Sequence, residues 1–237
     1  MLRDAGETVM YDGGTKGIFF MLVVHELSFG FRHRRLFEKL SLTVAAGELV
    51  HLSGPNGAGK STFMSIVAGL LAPISGEVRY LPDASNQTPA PDRREYLEYL
   101  PAEANGLHLK MDATQNLLYW ARLRGLELAR EDAFRALEAW NLNHPLLRDD
   151  FPVEKFSTGM KRRLALARLG LSPTRGWLLD EPLYGLDVEA TGAFATMLKT
   201  HLSRGGLALV ISHDLKPLDG LITRTVSLGS PGRGGRK

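Results

Sequence analysis

The sequence predicts an α/β fold in which helices surround a largely parallel sheet, and its 237 residues suit a single large domain. Two observations indicate this. Three short apolar runs indicate buried strands: Leu49–Leu52, Trp177–Leu179 and Leu207–Ile211. These runs alternate with segments of helical periodicity. Two earlier strands, Leu22–Phe29 and Leu40–Val44, flank a basic turn-like stretch and predict an antiparallel β subdomain.

The middle of the chain predicts a helical subdomain between about residues 104 and 172. Apolar residues recur at helical spacing in three segments, Asp112–Arg124, Glu131–Trp140 and Gly159–Leu171. Before this lobe we expect a helix at Phe63–Leu71, an exposed loop over 82–94 and a strand near Tyr96–Leu100.

The ends of the chain differ in composition from the domain at 21–229. Residues 1–20 lack the pattern of a signal peptide, and we expect either a disordered leader or a natural start at Met21. Residues 230–237 form a Gly-rich basic tail. The absence of cysteine excludes disulfides and thiolate metal sites, and the apolar runs are too short to cross a bilayer. A net charge of +3 does not argue for a nucleic-acid partner.

A glycine-rich loop follows the strand at Leu49–Leu52 and matches the pattern G-x-x-x-x-G-K-[ST]. Its residues are Gly54, Pro55, Asn56, Gly57, Ala58, Gly59, Lys60, Ser61 and Thr62. Glycines allow backbone N–H groups to curl around phosphate oxygens, and the following helix adds its N-terminal dipole. The motif predicts that Lys60 places a cation near the β- and γ-phosphates of a nucleotide and that Ser61 can ligate Mg²⁺.

Two acidic residues, Asp180 and Glu181, follow the apolar run Trp177–Leu179. Taken alone, they could be solvated carboxylates at the end of a strand. Together with the phosphate loop, they predict that Asp180 supports Mg²⁺ and that Glu181 orients or deprotonates the attacking water.

The segment Phe156–Arg163 narrows the class, because it reads Phe-Ser-Thr-Gly-Met-Lys-Arg-Arg ahead of a predicted helix. It resembles the signature of the ATP-binding cassette (ABC) family, L-S-G-G-Q or a close variant. The resemblance implies a P-loop NTPase of ABC type that binds ATP and Mg²⁺. It also implies that Ser157, Thr158 and Gly159 bind the γ-phosphate held by a second cassette. Ser157 is also interpretable as an ordinary N-cap, and the two roles are compatible.

Further positions are similar to the family over nearly all of residues 22–229. Phe31 stands where the family carries an aromatic ring that stacks on adenine; the alternative is a hairpin or core aromatic beside Phe29. Asp187 resembles the acidic position of the loop that couples two ATP sites. His213 resembles the switch histidine, which would contact the γ-phosphate.

One position departs from the family pattern. A glutamine that ligates Mg²⁺ through water is expected near Tyr99–Glu103, and none is present. Glu103 is the first substitute as a metal ligand, with Ala102 as the rival, and a carboxylate oxygen would still serve a hard cation.

The resemblance implies that this single cassette pairs with a second one, in a homodimer or a closely related heterodimer, and that an integral membrane permease is its partner. We therefore expect a peripheral protein at the cytoplasmic face of a bacterial inner membrane, without a nucleic-acid partner. Leu36–Val50 and Leu164–Leu169 are similar to the haem-export ATP-binding subunit of cytochrome c biogenesis, whereas Ser157–Lys161 also looks like ABC-2-type exporters. A regulatory module with low turnover and a DNA- or ribosome-associated ATPase are the alternatives.

Overall fold

The computed structural model describes residues 20–32, 34–81, 96–103, 106–144 and 151–229. The strands are β1 (Met21–Phe31), β2 (Arg34–Ala45), β3 (Leu49–Ser53), β4 (Ser75–Leu81), β5 (Leu97–Leu100), β6 (Gly176–Asp180), β7 (Leu207–Ile211) and β8 (Arg224–Ser227). The α-helices are α1 (Lys60–Val67), α2 (Ala113–Leu123), α3 (Arg130–Glu138), α4 (Thr158–Gly170) and α5 (Val188–Ser203). Two short 3₁₀ turns lie at Val153–Lys155 and Lys216–Leu218.

Five strands form a parallel sheet in the order β5-β6-β7-β3-β8. Every residue of β6 and β7 is buried, which explains why these strands are continuous apolar runs in the sequence. Because the strands are parallel, the carboxyl ends of β3, β6 and β7 lie at one edge, where ligands of open α/β sheets bind.

The other sheet is antiparallel, with the order β2-β1-β4. The predicted α/β class, the parallel sheet and the antiparallel subdomain are therefore confirmed. One buried apolar cluster lies between the two sheets and includes Phe63 of α1 and Leu52 of β3. The second lies on the other face of the parallel sheet and includes Leu117 of α2, Leu164 of α4 and Phe194 of α5.

Helix α1 differs from the predicted Phe63–Leu71, because it spans Lys60–Val67. The helix ends where Gly69 adopts φ +73°, with Gly69 N–H donating to Ile66 O and Leu70 N–H to Ser65 O. This is the hydrogen-bond pattern of a Schellman motif. Leu70, expected on the apolar face, is consequently 72% exposed.

Three elements were not predicted: β4, β8 and α5. The predicted leader over 1–19, the loop over 82–94 and the tail over 230–237 lie outside the described residues. Phe20, which was assigned to the leader, is fully buried and stacks on Tyr96 at a ring-centroid distance of 5.8 Å. Within the described part of the chain, no helix is both long and apolar enough to cross a membrane.

Candidate nucleotide-binding site

The glycine-rich loop joins the carboxyl end of β3 to the first turn of α1. Gly57 and Gly59 adopt positive φ angles of 75° and 95°. Gly59 is the N-cap of α1 and offers no side-chain acceptor to the first-turn N–H groups. The Lys60 Nζ donates to Gly54 O at 2.8 Å and to Pro55 O at 3.2 Å, so the ammonium group lies against the loop. The motif is therefore in the predicted strand–loop–helix setting.

Close packing explains why two of these positions are glycine. A Cβ on Gly54 would lie 2.6 Å from Leu228 O, which is backbone and cannot move aside. A Cβ on Gly59 would lie 3.0 Å from the Leu36 side chain, at a φ that disfavours L residues. The remaining predicted residues line the same loop: Asn56 is exposed, Ala58 is buried and Thr62 is half-buried.

Asp180, at the end of β6, is buried and hydrogen-bonded to the Ser61 hydroxyl. Burial raises the pKa of the Asp180 carboxyl, while the Ser61 hydrogen bond and the charges of Arg162 and Lys60 oppose that rise. Ser61 and Asp180, two of the predicted Mg²⁺ ligands, therefore lie together in the structure. Their oxygen atoms suit a hard cation. Within the described residues, no three His, Asp or Glu side chains gather as a metal cluster.

Glu181 and His213 follow the neighbouring strands β6 and β7 and lie together. The Glu181 Oε2 accepts a hydrogen bond from the His213 N–H at 3.3 Å, and Glu181 Oε1 lies 3.5 Å from His213 Nε2. Glu181 has a positive φ of 48°, a conformation that is uncommon for a residue with a side chain. The Glu181 N–H donates to Ile211 O at 2.8 Å. The backbone therefore fixes a carboxylate beside an imidazole that is 74% exposed.

Helix α4 begins at Thr158, after the N-cap Ser157, whose Oγ accepts from Met160 N–H at 3.2 Å. The predicted N-cap is thus present, and Ser157 and Thr158 are exposed. A Cβ on Gly159 would lie 2.5 Å from Gly185 O, so the start of α4 lies directly against the 183–187 loop.

Asp187 caps helix α5 by accepting from Ala190 N–H at 2.9 Å. Its second oxygen pairs with Arg163 of α4. The start of α4 and the loop before α5 are thus fastened to each other within one chain.

Phe31 is 58% exposed and packs edge-on against Phe29, with ring centroids 5.1 Å apart. Both of its predicted roles thus have a structural counterpart: a hairpin aromatic pair and an exposed ring face. The adjacent Arg34 donates from Nη2 to Gly57 O at 2.9 Å and ties the β1–β2 hairpin to the phosphate loop. Sequence reasoning missed Arg34, which appeared only as part of a basic turn.

The loop after β5 lies beside the acidic pair. Glu103 is exposed, whereas Pro101 and Ala102 are half-buried. Arg162 of α4, which sequence reasoning also missed, donates from Nη1 to Pro101 O at 3.0 Å and from Nη2 to Ala102 O. Three successive basic residues, Lys161–Arg163, gave no sign in the sequence that the middle one is buried.

The phosphate loop, the signature-like helix start and the Asp180–Glu181 pair define the chain as a P-loop nucleotide-binding cassette. A model of the ABC transporter family matches residues 37–184, which is more than half of the chain. This chain belongs to the ABC transporter family as an ATP-binding subunit, and it is an ATPase coupled to transport.

Two similar proteins bear names from cytochrome c biogenesis. Cytochrome c biogenesis ATP-binding export protein CcmA 2 of Cupriavidus metallidurans is 34% identical over 212 residues, covering 89% of this chain and 98% of that protein. The CcmA protein of Dechloromonas aromatica is 38% identical over 196 residues, covering 83% and 94%.

Solved structures agree on the fold. The ATP-binding subunit of an ABC transporter superposes with a TM-score of 0.75 at 27% identity, covering 87% of this chain and 85% of that chain. A putative ABC transporter ATP-binding protein from Pyrococcus furiosus gives a TM-score of 0.71 at 24% identity, covering 88% and 97%.

Proposed function

We propose that this chain powers haem export for cytochrome c biogenesis, as one of two paired cassettes bound to an integral membrane permease. It would act at the cytoplasmic face of a bacterial inner membrane. The proposed ATPase activity rests on one observation: Glu181 and His213 are in contact, next to the Asp180–Ser61 contact. The similarity to CcmA proteins supports the cargo and favours it over a generic ABC-2-type export role.

The chain's own residues account for binding. The backbone N–H groups of the phosphate loop and of the first turn of α1 hold the β- and γ-phosphates, because no side-chain cap satisfies this helix start. Lys60 exchanges its two carbonyl acceptors for phosphate oxygens, and Phe31 offers its exposed face to adenine. Ser61 and Asp180 would hold Mg²⁺, with Glu103 as the proposed third oxygen ligand. Mg²⁺ supplies charge neutralisation at the β- and γ-phosphate oxygens when it is bound.

Hydrolysis requires a group that takes a proton from water and a group that holds the γ-phosphate. The Glu181 carboxylate accepts the proton as the water oxygen bonds to the γ-phosphorus and the bond to the β,γ-bridging oxygen breaks. His213 is held by Glu181 and directs its exposed ring to the γ-phosphate. The products are ADP and inorganic phosphate.

A second cassette completes each site. Ser157, Thr158 and Gly159 lie at the exposed start of α4, where N–H groups and the helix dipole favour an anion. We propose that they bind the γ-phosphate held by the partner, in a homodimer with two-fold symmetry. The Arg163–Asp187 pair holds this helix start against the 183–187 loop that would lie near both sites.

Phosphate release by the chain assembled with its membrane partner tests the ATPase roles. We expect Lys60→Ala and Glu181→Gln to lower the rate about 100-fold or more, as expected for loss of a phosphate-binding cation or a general base. Lys199→Ala and Glu189→Gln, on the exposed face of α5, are matched controls and should retain the wild-type rate. Equal rates in all variants would contradict the proposal. ATP-driven pairing without phosphate release by the wild type would instead support a regulatory module.

The cargo is tested in cells. In a strain lacking this chain, we expect loss of c-type cytochromes that carry covalent haem, measured by haem-peroxidase staining. Wild-type protein should restore the signal and Glu181→Gln should not, while Glu189→Gln serves as the control. Normal cytochrome c in the deletion strain would refute haem export and leave the ATPase assignment standing.

A further inference from the structure

Arg162 is an unusual residue for its position, because its charged side chain is only 1% exposed. Burial of a guanidinium group is costly unless hydrogen bonds and opposite charges compensate. Here the compensation comes from the Pro101 and Ala102 carbonyls and from the nearby carboxylates of Asp180 and Glu181. Burial lowers the pKa of Arg162, and the attraction of the two acids opposes that change.

Arg168, six positions further along α4, provides an internal comparison. It is also buried, at 7% exposed, and donates from Nη1 to Gly106 O at 2.6 Å. Its Nη2, however, lies 4.0 Å from the Glu98 carboxylate, which also pairs with Arg124. The charge of Arg168 is therefore balanced inside the fold, away from the acidic pair. Arg162, by contrast, forms no ion pair within 4.0 Å among the described residues. Its charge instead attracts the Asp180 and Glu181 carboxylates.

The loop that Arg162 binds is also held from the opposite side. The Tyr99 hydroxyl, at the end of β5, hydrogen-bonds Ser65 of α1, and Tyr99 lies close enough to Asp180 to feel its charge. The stretch from Tyr99 to Ala102 therefore links the phosphate-loop helix to α4. A displacement of Pro101 or Ala102 changes where the guanidinium lies relative to the two carboxylates, because both carbonyls are bonded to it.

We infer that Arg162 is a positioning residue: it fastens the Pro101–Glu103 loop to α4 through two hydrogen bonds and places its positive charge near the Asp180 and Glu181 carboxylates. A shift of the loop is thereby communicated to the site of hydrolysis. In this chain, which lacks a glutamine in that loop, the connection is made by a side chain of α4. The inference rests on the proposed ATPase role for its kinetic consequence, but the fastening of the loop does not.

Two variants of Arg162 separate the effect of its positive charge from the effect of its two hydrogen bonds. Arg162→Gln removes the charge, whereas Arg162→Lys keeps the charge but cannot donate to two carbonyls from one planar group. Arg168→Gln and Arg168→Lys are the matched controls on the same helix. Each protein, assembled with its membrane partner, is assayed for kcat and KM of ATP hydrolysis, and for amide hydrogen exchange in the peptide spanning residues 97–103.

We expect Arg162→Gln to lower kcat about 10-fold with little change in KM, and to speed exchange at Ala102 and Glu103. Arg162→Lys should retain most of kcat and show the faster exchange, and the Arg168 variants should lower thermal stability with kcat preserved. Parallel losses of kcat and stability in the Arg162 and Arg168 variants would overturn the inference, and so would unchanged exchange in both Arg162 variants. A wild-type complex that hydrolyses no ATP refutes the proposed function, while the exchange measurement still decides whether Arg162 fastens the loop.

Discussion

Helices α1 and α4 are both proposed to bind phosphate at their N-termini, but they begin in different ways. Helix α1 starts after Gly59, which has a φ of 95° and provides no side-chain cap. Helix α4 starts after Ser157, whose hydroxyl already accepts a hydrogen bond from Met160 N–H. The start of α1 leaves its N–H groups for a ligand, whereas at the start of α4 one N–H group, that of Met160, is already satisfied by a side chain.

This difference indicates that the N-termini of α1 and α4 have different roles. The α1 end is held rigidly by backbone and packing, since a Cβ at Gly59 would meet Leu36. We therefore expect it to bind nucleotide in a single chain. The α4 end is exposed and held by Gly185 and Asp187 of the neighbouring loop, and under the proposed function a partner would bring phosphate to it. We expect substitutions at α1 to affect ATP binding by the monomer, and substitutions at α4 to affect pairing and turnover.

The largest effect is expected at Gly59. Gly59→Ala should weaken ATP binding by the monomer about 100-fold, equivalent to about 3 kcal/mol, because the left-handed backbone is strained and the loop must shift away from Leu36. Gly205→Ala is the control: Gly205 has a similar φ of 81° with open space around it. Titration with a fluorescent ATP analogue measures both. Equal loss in the two variants would mean that backbone strain alone, and not the phosphate loop, explains the effect.

The sequence was sufficient to predict the phosphate loop and the presence of α1, although not the bounds of the helix, because their pattern is contiguous and follows an apolar strand. Helix α5 escaped prediction although its signals were present: Asp187 as the cap and Ala190, Phe194, Leu198 and Leu202 at four-residue spacing. Strand β8 carries no apolar run, since its four residues alternate between half-buried and exposed at the sheet edge. Such a strand is defined by its pairing with β3, which only the fold reveals.

The contacts of the site were harder to predict than its residues. Asp180 and Ser61 belong to motifs that could be recognised separately, and their hydrogen bond confirms that they meet. The partner of Arg162 lies 61 residues away in the sequence, and nothing local distinguishes Arg162 from its half-buried basic neighbours. Pairings of this kind depend on tertiary structure and cannot be derived from periodicity.

Acid pH should lower the stability of the whole fold through His201, a residue remote from both helix starts. The effect on the two helix starts should therefore be equal. The ring of His201 in α5 stacks on Trp177 at 3.7 Å, and burial lowers its pKa to about 4. The unfolded chain takes up this proton below a pH of about 6.5, but the folded chain does so only near pH 4, so stability is lost as pH falls through that window.

Lowering the pH from 7.5 to 5 should therefore reduce the free energy of unfolding by about 2 kcal/mol through His201. Urea denaturation of the wild type and of His201→Phe measures the difference, with Lys199→Ala as the exposed control on the same helix. If His201→Phe loses as much stability on acidification as the wild type, the low pKa is wrong. ATP-binding comparisons between α1 and α4 variants should be made above pH 7, where this contribution is absent.

The smallest effect, at Ser157, is the most informative for the comparison, because capping and phosphate binding can be separated there. Ser157→Ala removes the cap and should lower the unfolding free energy by about 1 kcal/mol. Ser157→Asp keeps an acceptor for Met160 N–H, so stability should be retained, but its negative charge would repel the γ-phosphate of the partner cassette. We expect both variants to reduce turnover by the paired protein while ATP affinity of the monomer stays at the wild-type value. If Ser157→Asp were as active as the wild type, the hydroxyl would serve only as a cap, and α4 would not contribute a phosphate contact through Ser157.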